Sequence, residues 1–439
     1  MSENIKVGIL TLGCKVNQYE SEAIAEALAD KGFSVMPHST LCDAYIVNTC
    51  TVTAESDRKA RQMIRRMMSK NSEAYILVTG CYSQVSPDDV AAIEGVDYIC
   101  GSSNKMTVVD KLCELVARKQ KNGKAEICIP ALDSSPFEEM SIRRFDRTRA
   151  YVKIEDGCES KCAYCTIPAS RGPIRSKPFG DVIDEVKLLT DNGVREIVLT
   201  GIETGSYGRD LPEKESFASL LSAIDKIDGI GRVRTGSLDP TVIKPEFADT
   251  IGNLDSLCPH FHLSLQSGSS KILALMKRKY NADQAMAAIE RLKKALPGVK
   301  LTTDVIVGFP EESEEDFIAS CDFVRRAEFL MVHVFPYSKR KGTVAATMKG
   351  QIPENVKHER VARLSEIALE VRKSILDREI NNGCEKTVLF ETFKDGYASG
   401  HTDDFIEVRV KTDKDIRSLI RKVRLISHDG EKCEGILVE

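Results

Sequence analysis

Three cysteines fall close together in the stretch GCESKCAYC, residues 157–165. Cys158, Cys162 and Cys165 are separated by three and then two residues, and they follow a strand-like apolar segment. Three thiolates at this spacing can bind three irons of a cubane iron–sulfur cluster and leave the fourth iron open. The stretch therefore predicts an open [4Fe-4S] cluster whose free iron can bind a small molecule.

Two simpler explanations compete with this interpretation. A zinc knuckle would normally require a fourth Cys or His nearby, and none follows in the next stretch of the sequence. Packing cysteines would lie on a periodic apolar face, whereas Gly157, Tyr164 and Pro168 surround these cysteines with residues typical of turns. The cluster is therefore the favoured interpretation.

A repeated alternation of strands and helices extends from the cysteine stretch toward the C-terminus. The strand candidates are TRAYVKI (148–154), REIVLTG (195–201), GRVRTGSL (231–238), HFHLSLQ (260–266), LTTDVIVGF (301–309) and LMVHVFPYS (330–338). Six such units predict an incomplete (βα)6 barrel, in which chemistry gathers at the carboxyl ends of the strands.

The N-terminal part of the chain has its own alternation, which predicts a separate α/β domain with a parallel sheet. Cys14, Cys50 and Cys81 each come after a predicted strand: ILTLGC, AYIVNTC and AYILVTGC. Parallel strand ends converge at one edge, so these thiols can share a site. From position alone, a second cluster, core packing and a redox pair all remain open.

The other eight cysteines are interpreted as packing residues, because buried cysteine is common in α/β cores. They are Cys42, Cys100, Cys113, Cys128, Cys258, Cys321, Cys384 and Cys433.

The remaining segments complete the predicted organisation. A charged helix from about residue 355 to 380 leads into short strands, KTVLFETF, FIEVRVKT and RKVRLIS, which predict a small antiparallel β-barrel. We expect an N-terminal domain over 1–120, a linker over 121–145, the central barrel over 146–376 and the C-terminal barrel over 377–439.

Composition excludes several classes of protein. The 439 residues include 42% hydrophobic and 29% charged residues, and no apolar run approaches the roughly 20 residues that span a bilayer. The N-terminus lacks the pattern of a secretory signal, so we expect a cytoplasmic protein in which a disulfide scaffold is improbable. The net charge of -4 argues against a protein that coats nucleic acid.

Several motifs together resemble the methylthiotransferases, a family of radical S-adenosylmethionine (SAM) enzymes. They are NTCTVT (48–53), GCESKCAYCTIPASRGPIRS (157–176), TGIETGSYG (200–208), LSLQSGS (263–269), DVIVGFP (304–310) and HVFPYSKRKGT (333–343). The match covers nearly the whole chain. The opening LGCKVNQYESEA (12–23) most resembles the branch that acts on threonylcarbamoyladenosine of tRNA.

The resemblance implies a fold and a division of labour. It implies a C-terminal TRAM domain that helps to bind RNA, and a second [4Fe-4S] cluster on Cys14, Cys50 and Cys81. One SAM would methylate a sulfur on that auxiliary cluster, and a second would be cleaved at Cys158, Cys162 and Cys165 to a 5'-deoxyadenosyl radical. The radical would abstract the hydrogen from carbon 2 of the adenine, where the methylated sulfur then attaches.

Further residues are expected to bind SAM at strand ends. Gly201, Glu203, Gln266 and Gly308 follow predicted strands, and by resemblance Arg278 would meet the methionine carboxylate. Glycines at strand ends are also common turn formers, so that explanation remains open for both. Relatives often have a different residue at the position of Glu203.

Three basic groups are candidates for RNA contacts, although such runs are usually solvated surfaces. They are Arg58, Lys59, Arg61, Arg65 and Arg66; Arg143, Arg144, Arg147 and Arg149; and Arg417, Arg421, Lys422 and Arg424. Resemblance to TRAM domains favours the last group.

The resemblance implies methylthiolation of threonylcarbamoyladenosine at position 37, in the tRNA anticodon loop. Alternatives are isopentenyladenosine in tRNA, an aspartate of a ribosomal protein, or a non-catalytic iron–sulfur protein that binds RNA or acts as a sensor. The enzyme would also need a sulfur donor and an electron donor such as flavodoxin or ferredoxin.

Overall fold

The N-terminal part of the chain forms a six-stranded, wholly parallel sheet. The computed structural model describes residues 5–119, 121, 123–143, 148–213 and 215–438. The sheet has the order β2-β1-β3-β4-β5-β6, and every residue of β3 is buried. Its elements are β1 (Lys6–Thr11), α1 (Lys15–Asp30), β2 (Ser34–Pro37), β3 (Ala44–Thr49), α2 (Ala54–Lys70), β4 (Tyr75–Gly80), α3 (Cys81–Val85), α4 (Pro87–Ala91), β5 (Tyr98–Cys100), α5 (Thr107–Arg118) and β6 (Glu126–Cys128).

The central part is an open barrel of parallel strands. Its first half has the order β11-β10-β7 and its second half β12-β13-β14-β15, joined by a bridge between Val233 and Leu257. The elements are β7 (Arg149–Lys153), β8 (Glu155–Asp156), α6 (Ile167–Arg171), β9 (Arg175–Ser176), α7 (Phe179–Asp191), β10 (Glu196–Thr200), α8 (Phe217–Ile224), β11 (Arg232–Thr235), β12 (Ser237–Leu238), α9 (Pro245–Ile251), β13 (His260–Gln266), α10 (Ser270–Leu275), α11 (Ala282–Ala295), β14 (Lys300–Val307), α12 (Glu314–Ala327), β15 (Met331–Pro336) and α13 (Glu354–Asn381).

Local sequence signals account for several of these helices. Asn281 and Gln284 form a capping box at the start of α11, and Ser313 and Asp316 form one at the start of α12. Each box satisfies backbone N–H groups that the first turn leaves unpaired.

The C-terminal part closes into a five-stranded barrel in the order β16-β17-β18-β20-β19. All neighbouring strands are antiparallel except β18 and β20. The strands are β16 (Glu385–Lys394), β17 (Tyr397–Thr402), β18 (Glu407–Lys411), β19 (Ile420–His428) and β20 (Cys433–Leu437). Helix α13 packs against β15 and β19 and so joins the two barrels.

Helix α1 connects the N-terminal sheet to the central barrel. Tyr19 lies in the barrel's hydrophobic core, and its hydroxyl donates to Glu185 at 3.0 Å and to the Met140 carbonyl at 2.8 Å. On the other side of the barrel, the Phe405 ring of the C-terminal barrel stacks on His260 at 4.3 Å. All three units are therefore packed together around the central strands.

The predicted fold class is confirmed, with parallel sheets in the first two units and a closed barrel in the third. The segment 121–145, interpreted as a linker with one extended segment, contributes β6, which extends the N-terminal sheet beside β5. The expected boundaries at residues 120 and 146 lie outside the described residues. Within the described ranges, no helix has the length and apolar character to cross a membrane.

Candidate functional site

Cys158, Cys162 and Cys165 lie in the loop between β8 and α6, where all three line one cavity of about 410 Å³. Each sulfur accepts a hydrogen bond from an N–H group. The backbone N–H of Ser160 donates to Cys158 and that of Ile167 to Cys165, both at 3.4 Å. N–H donors aimed at every sulfur suit thiolates that bind metal. The loop therefore fits the predicted open cluster.

The thiols of Cys158 and Cys165 are protonated near neutral pH before metal binds. Burial raises the pKa of Cys165 to about 11. Burial also raises the pKa of Cys158, and the nearby carboxylate of Glu203 raises it further. Cluster assembly on this loop must therefore release protons.

The N-terminal cysteines lie at the carboxyl ends of three adjacent parallel strands, β1, β3 and β4. Cys14 precedes α1, Cys50 follows β3, and Cys81 begins α3. Burial raises the pKa of Cys50 to about 11, and its two neighbours Cys81 and Cys14 raise it as well. A Cβ atom added to Gly13 would lie 3.1 Å from the Cys50 sulfur. The structure thus brings these three thiols together.

Arg171 is buried beside the N-terminal triad although it belongs to the loop of the central triad. Its Nε donates to the Cys81 sulfur at 3.1 Å. Its Nη1 and Nη2 donate to Glu20 at 2.6 Å and to Asn17 at 2.5 Å, and Asp156 accepts a further bond at 3.1 Å. A guanidinium in contact with a cysteine sulfur stabilises the thiolate that a cluster requires.

A ring of buried charges surrounds Arg171. Lys153 pairs with Glu20 at 2.8 Å and with Asp156 at 2.7 Å, and Lys105 also pairs with Glu20. The cations of this network outnumber its carboxylates, which suits a neighbouring group of negatively charged thiolates.

One cavity is lined by cysteines from both triads. Cys14 lines it together with the three central cysteines, and Val52 and Thr53 from the N-terminal unit close its side. The two predicted clusters would therefore face one reaction space, which neither unit forms alone.

The predicted cofactor residues Gly201, Glu203, Gln266 and Arg278 all line this cavity. Arg278 donates to the Cys162 sulfur at 3.2 Å and to Asp239 at 2.6 Å. Glu203 lies 3.1 Å from the Cys158 sulfur.

The backbone at Gln266 also fits a bound ligand, whereas packing against Glu155 explains the glycine at position 201. Gln266 has a left-handed backbone with φ of 72°, a strained conformation that is common at binding sites. A Cβ on Gly201 would lie 2.7 Å from Glu155 Oε2. The other carboxylate oxygen of the buried Glu155 has no hydrogen-bond partner among the described residues.

Gly308 lies apart from this group, and its expected contact with SAM stays a prediction. Among the described residues, it is absent from the cavity lining, and its N–H donates to Glu312 at 2.6 Å. With φ of 70° and Lys357 packed over it, Gly308 forms a tight turn.

Sequence reasoning missed several polar residues of the site. Ser237, Asp239 and Ser264 line the cavity from the ends of β12 and β13. Asp239 directly follows a predicted strand, which was a usable signal, whereas Ser237 and Ser264 lie within predicted strands. Arg171 had none, because its role depends on the packing of two units.

The arginines of the three basic groups differ in their exposure to solvent. Arg58 is exposed and paired with Glu55, while Arg417 is exposed and paired with Asp415. Arg149 is half-buried between Glu391 at 2.8 Å and Glu196 at 3.8 Å, and it lines one open cavity together with Arg417. Its contact with RNA stays a prediction. Arg144 and Arg147 lie outside the described residues.

The packing interpretation also fails for some cysteines. Cys128 and Cys384 are exposed and Cys113 is half-buried, whereas Cys42, Cys100, Cys258, Cys321 and Cys433 are buried as expected.

Comparisons with known proteins agree with the geometry. The model of the Radical SAM superfamily matches residues 152–324, and that of the uncharacterized protein family UPF0004 matches residues 6–101. The threonylcarbamoyladenosine tRNA methylthiotransferase MtaB of Bacillus subtilis is 39% identical over 438 residues, which cover 98% of this chain and 96% of the relative. The tRNA-2-methylthio-N(6)-dimethylallyladenosine synthase of Aquifex aeolicus is 35% identical over 441 residues, with 99% of each chain covered.

A solved structure shares the fold. TsrM of Kitasatospora setae, a radical S-adenosylmethionine methyltransferase solved with cobalamin and a [4Fe-4S] cluster, gives a TM-score of 0.55 at 15% identity. The match covers 78% of this chain and 77% of that chain.

Proposed function

The chain belongs to the methylthiotransferase family of the radical SAM superfamily, and on that premise we propose that it methylthiolates carbon 2 of N6-threonylcarbamoyladenosine in the tRNA anticodon loop. The observation that carries the proposal is the cavity lined by all three central cysteines and by Cys14 of the N-terminal triad. A reaction that joins a radical step to sulfur insertion needs both sites within reach of one substrate atom.

Two [4Fe-4S] clusters and SAM would supply the radical and the methylated sulfur when they are bound. Cys158, Cys162 and Cys165 would hold one cluster, and Cys14, Cys50 and Cys81 the other. This use of the six thiols accounts for a feature that packing does not explain: N–H donors contact the sulfurs of Cys158, Cys165 and Cys81.

Polar side chains at the strand ends would position SAM. Arg278 is held by Asp239 at 2.6 Å and by the Ser264 carbonyl at 2.9 Å, which fixes its guanidinium beside Cys162. A fixed guanidinium is well suited to bind the methionine carboxylate. Glu203 has an acceptor on the same side of the cavity and would bind an amino group.

Apolar side chains would shield the reaction from water. Ile202, Ile306 and Tyr337 line the cavity, and Val52 closes it from the N-terminal unit. Exclusion of water protects a reactive radical from side reactions.

The partners follow from this activity. The substrate is tRNA, whose anticodon-loop bases are partly unstacked and so less costly to expose. We propose a cytoplasmic location, reduction by a flavodoxin or ferredoxin, and a separate sulfur donor.

Nucleoside analysis tests the substrate. A strain that lacks the gene should lose only 2-methylthio-N6-threonylcarbamoyladenosine from digested tRNA, measured by mass spectrometry. Restoration by the wild-type gene is the positive control. Loss of the isopentenyl methylthio nucleoside, or of a methylthio-aspartate in a ribosomal protein, would instead assign one of the alternative substrates.

Cofactor cleavage tests the reaction class. Anaerobically reconstituted protein with dithionite and SAM should form 5'-deoxyadenosine. Bound iron without this product would identify a non-catalytic iron–sulfur protein.

A further inference from the structure

Helix α2 presents a positively charged face to solvent. Its sequence, AESDRKARQMIRRMMSK, contains six cations and two carboxylates, in a chain whose net charge is -4. The buried residues Ala60, Ile64 and Met67 form one stripe along the helix. The cations lie outside this stripe and are exposed or half-buried: Arg58, Lys59, Arg61, Arg65, Arg66 and Lys70. Helix α2 therefore concentrates positive charge in a protein that is acidic overall.

Much of this charge has no partner within the protein. The carboxylate of Glu55 pairs with Arg58, and that of Asp57 pairs with Arg340 of the central part. Among the described residues, three cations of α2 have neither an ion pair nor a side-chain hydrogen bond: Lys59, Arg65 and Arg66. These side chains are free to bind an anion from solution.

The spacing of the cations opposes helix formation. Arg61 and Arg65 are four residues apart, and so are Arg66 and Lys70, which places like charges on adjacent turns. Like charges at this spacing repel each other and destabilise a helix. The helix dipole favours a cation in the last turn, which accounts for Lys70 alone. A polyanion bound along this face would relieve the repulsion.

The positive face begins at the edge of the reaction cavity. Val52 and Thr53 line the cavity, and Thr53 is also the N-cap of α2. Val52 is exposed, so the cavity is open to solvent at this edge. From there α2 continues for 17 residues, or about 25 Å. The nucleotides that flank a base held in the cavity would therefore lie near the start of α2.

The basic group of the C-terminal barrel has fewer free cations. Arg417 pairs with Asp415 at 2.6 Å. Lys422 and Arg424 both lie near Glu385, at 3.9 and 3.6 Å. Three of the four cations in that group therefore have a carboxylate partner, which a phosphate would have to displace.

Building on the proposed function, we propose that the positive face of α2 binds the phosphate backbone of the anticodon stem while the loop base enters the cavity. Lys59, Arg65 and Arg66 would make the contacts. Phosphate contacts fix the position and orientation of a nucleic acid without reading its sequence. The unit that carries the auxiliary triad would thus also orient the RNA. The start of α2 at the cavity edge favours the substrate over an acidic protein as the partner of this face.

Binding of an anticodon stem-loop tests the proposal. The double variant Arg65→Gln and Arg66→Gln removes two adjacent charges and keeps side chains of similar length. Binding to the reconstituted enzyme is measured by fluorescence anisotropy without reductant, over a series of salt concentrations. We expect the double variant to bind roughly 10- to 100-fold more weakly near about 0.1 M salt, with a salt slope lower by about 2.

The RNA itself supplies two further comparisons. Stem-loops with and without the threonylcarbamoyl group should lose the same factor, because phosphate contacts do not depend on the base. The loop without its stem should bind equally to the wild type and to the double variant.

A second pair of arginines provides the matched control. Arg325 and Arg326 are adjacent and exposed in the last turn of α12, whose described residues do not line the cavity. The double variant Arg325→Gln and Arg326→Gln should keep the affinity and salt slope of the wild type. Iron content, measured for every variant, shows whether the cysteine sites are intact.

Several outcomes would overturn the proposal. Wild-type affinity and salt slope in the Arg65 and Arg66 variant would remove α2 from the RNA interface, and equal weakening by the control would assign the effect to net charge. Normal RNA binding, with turnover lost only when flavodoxin replaces dithionite, would assign α2 to an acidic protein. A wild type that binds no tRNA would instead refute the proposed function itself.

Discussion

Replacement of Arg171, the last residue of α6, by methionine should remove the hydrogen bond that links the central barrel to Cys81 of the N-terminal triad. Arg171 is wholly buried and bonds to Glu20, Asp156 and Asn17 as well as to the Cys81 sulfur. Methionine has a similar volume but no charge and no donors. The change therefore removes the electrostatic link and leaves the packing nearly intact.

The size of the effect follows from the charges that remain. Loss of one partner from a buried ion pair typically costs about 3–5 kcal/mol, because the other charge is left unpaired. Glu20 keeps Lys105 and Lys153, and Asp156 keeps Lys153, so the loss should lie near the lower limit. Arg171→Lys keeps the charge without the planar fork and should recover roughly half of that loss.

Iron binding is the decisive assay. In a background with Cys158, Cys162 and Cys165 changed to alanine, reconstituted iron reports the N-terminal triad alone. We expect Arg171→Met to lower the iron content and to shift the reduction potential of the remaining cluster to more negative values, because a cation beside a ligand sulfur favours the reduced state.

A second buried arginine provides a control that separates a loss of folding stability from an effect on iron binding. Arg360 pairs with Glu312 at 2.6 Å outside the cavity, so Arg360→Met should lower the urea midpoint similarly and leave iron and potential unchanged. If Arg171→Met bound iron normally at the wild-type potential, the contact with Cys81 would have no role in cluster binding.

Three further changes test separate parts of the molecule. Cys50→Ala should leave 5'-deoxyadenosine formation largely intact and abolish the methylthio product, while equal loss of both would contradict two independent sites. Burial holds the pKa of His260 well below its usual range, so only unfolded chains gain this proton as the pH falls below about 6.5. Unfolding free energy should then drop by about 1.4 kcal/mol per pH unit, and urea titrations of His260→Gln should show a flatter profile. Phe405→Ala removes two ring stacks and two cation–π contacts, and should lower the free energy of unfolding by roughly 2–4 kcal/mol. Thermal unfolding measures this loss, and a wild-type melting temperature would contradict it.

The fold was readable from the sequence because its strands are short, apolar and followed by turns. The same pattern located Cys14, Cys50 and Cys81, since the ends of adjacent parallel strands must lie at one edge. The spacing of Cys158, Cys162 and Cys165 was enough to predict their site. These features depend on local periodicity, which a single sequence displays.

Features that depend on packing between units were not readable. Arg149 belonged to an apparently basic stretch, yet it is half-buried and pairs with Glu391 of the C-terminal barrel. Gly308 had the expected position after a strand, but its turn is covered by Lys357 of α13. In both cases the partner is more than 40 residues away in sequence, and no local pattern indicates it.

Two polar contacts join the N-terminal unit to the central barrel beside the N-terminal triad, and together they explain how two separate folds form one site. In the first contact, Arg171 at the end of α6 donates hydrogen bonds to Cys81 and Glu20. In the second contact, Arg340, which follows β15, pairs with Asp57 at 2.6 Å and donates a hydrogen bond to Thr51 at 2.8 Å. Thr51 is the residue after Cys50, so each contact ends next to a thiol of the auxiliary triad. Buried ion pairs add little net stability but enforce one register, because a shifted interface would leave charges unpaired. The distance between the two triads is therefore set by charge pairing across the interface, as their action on one substrate atom requires.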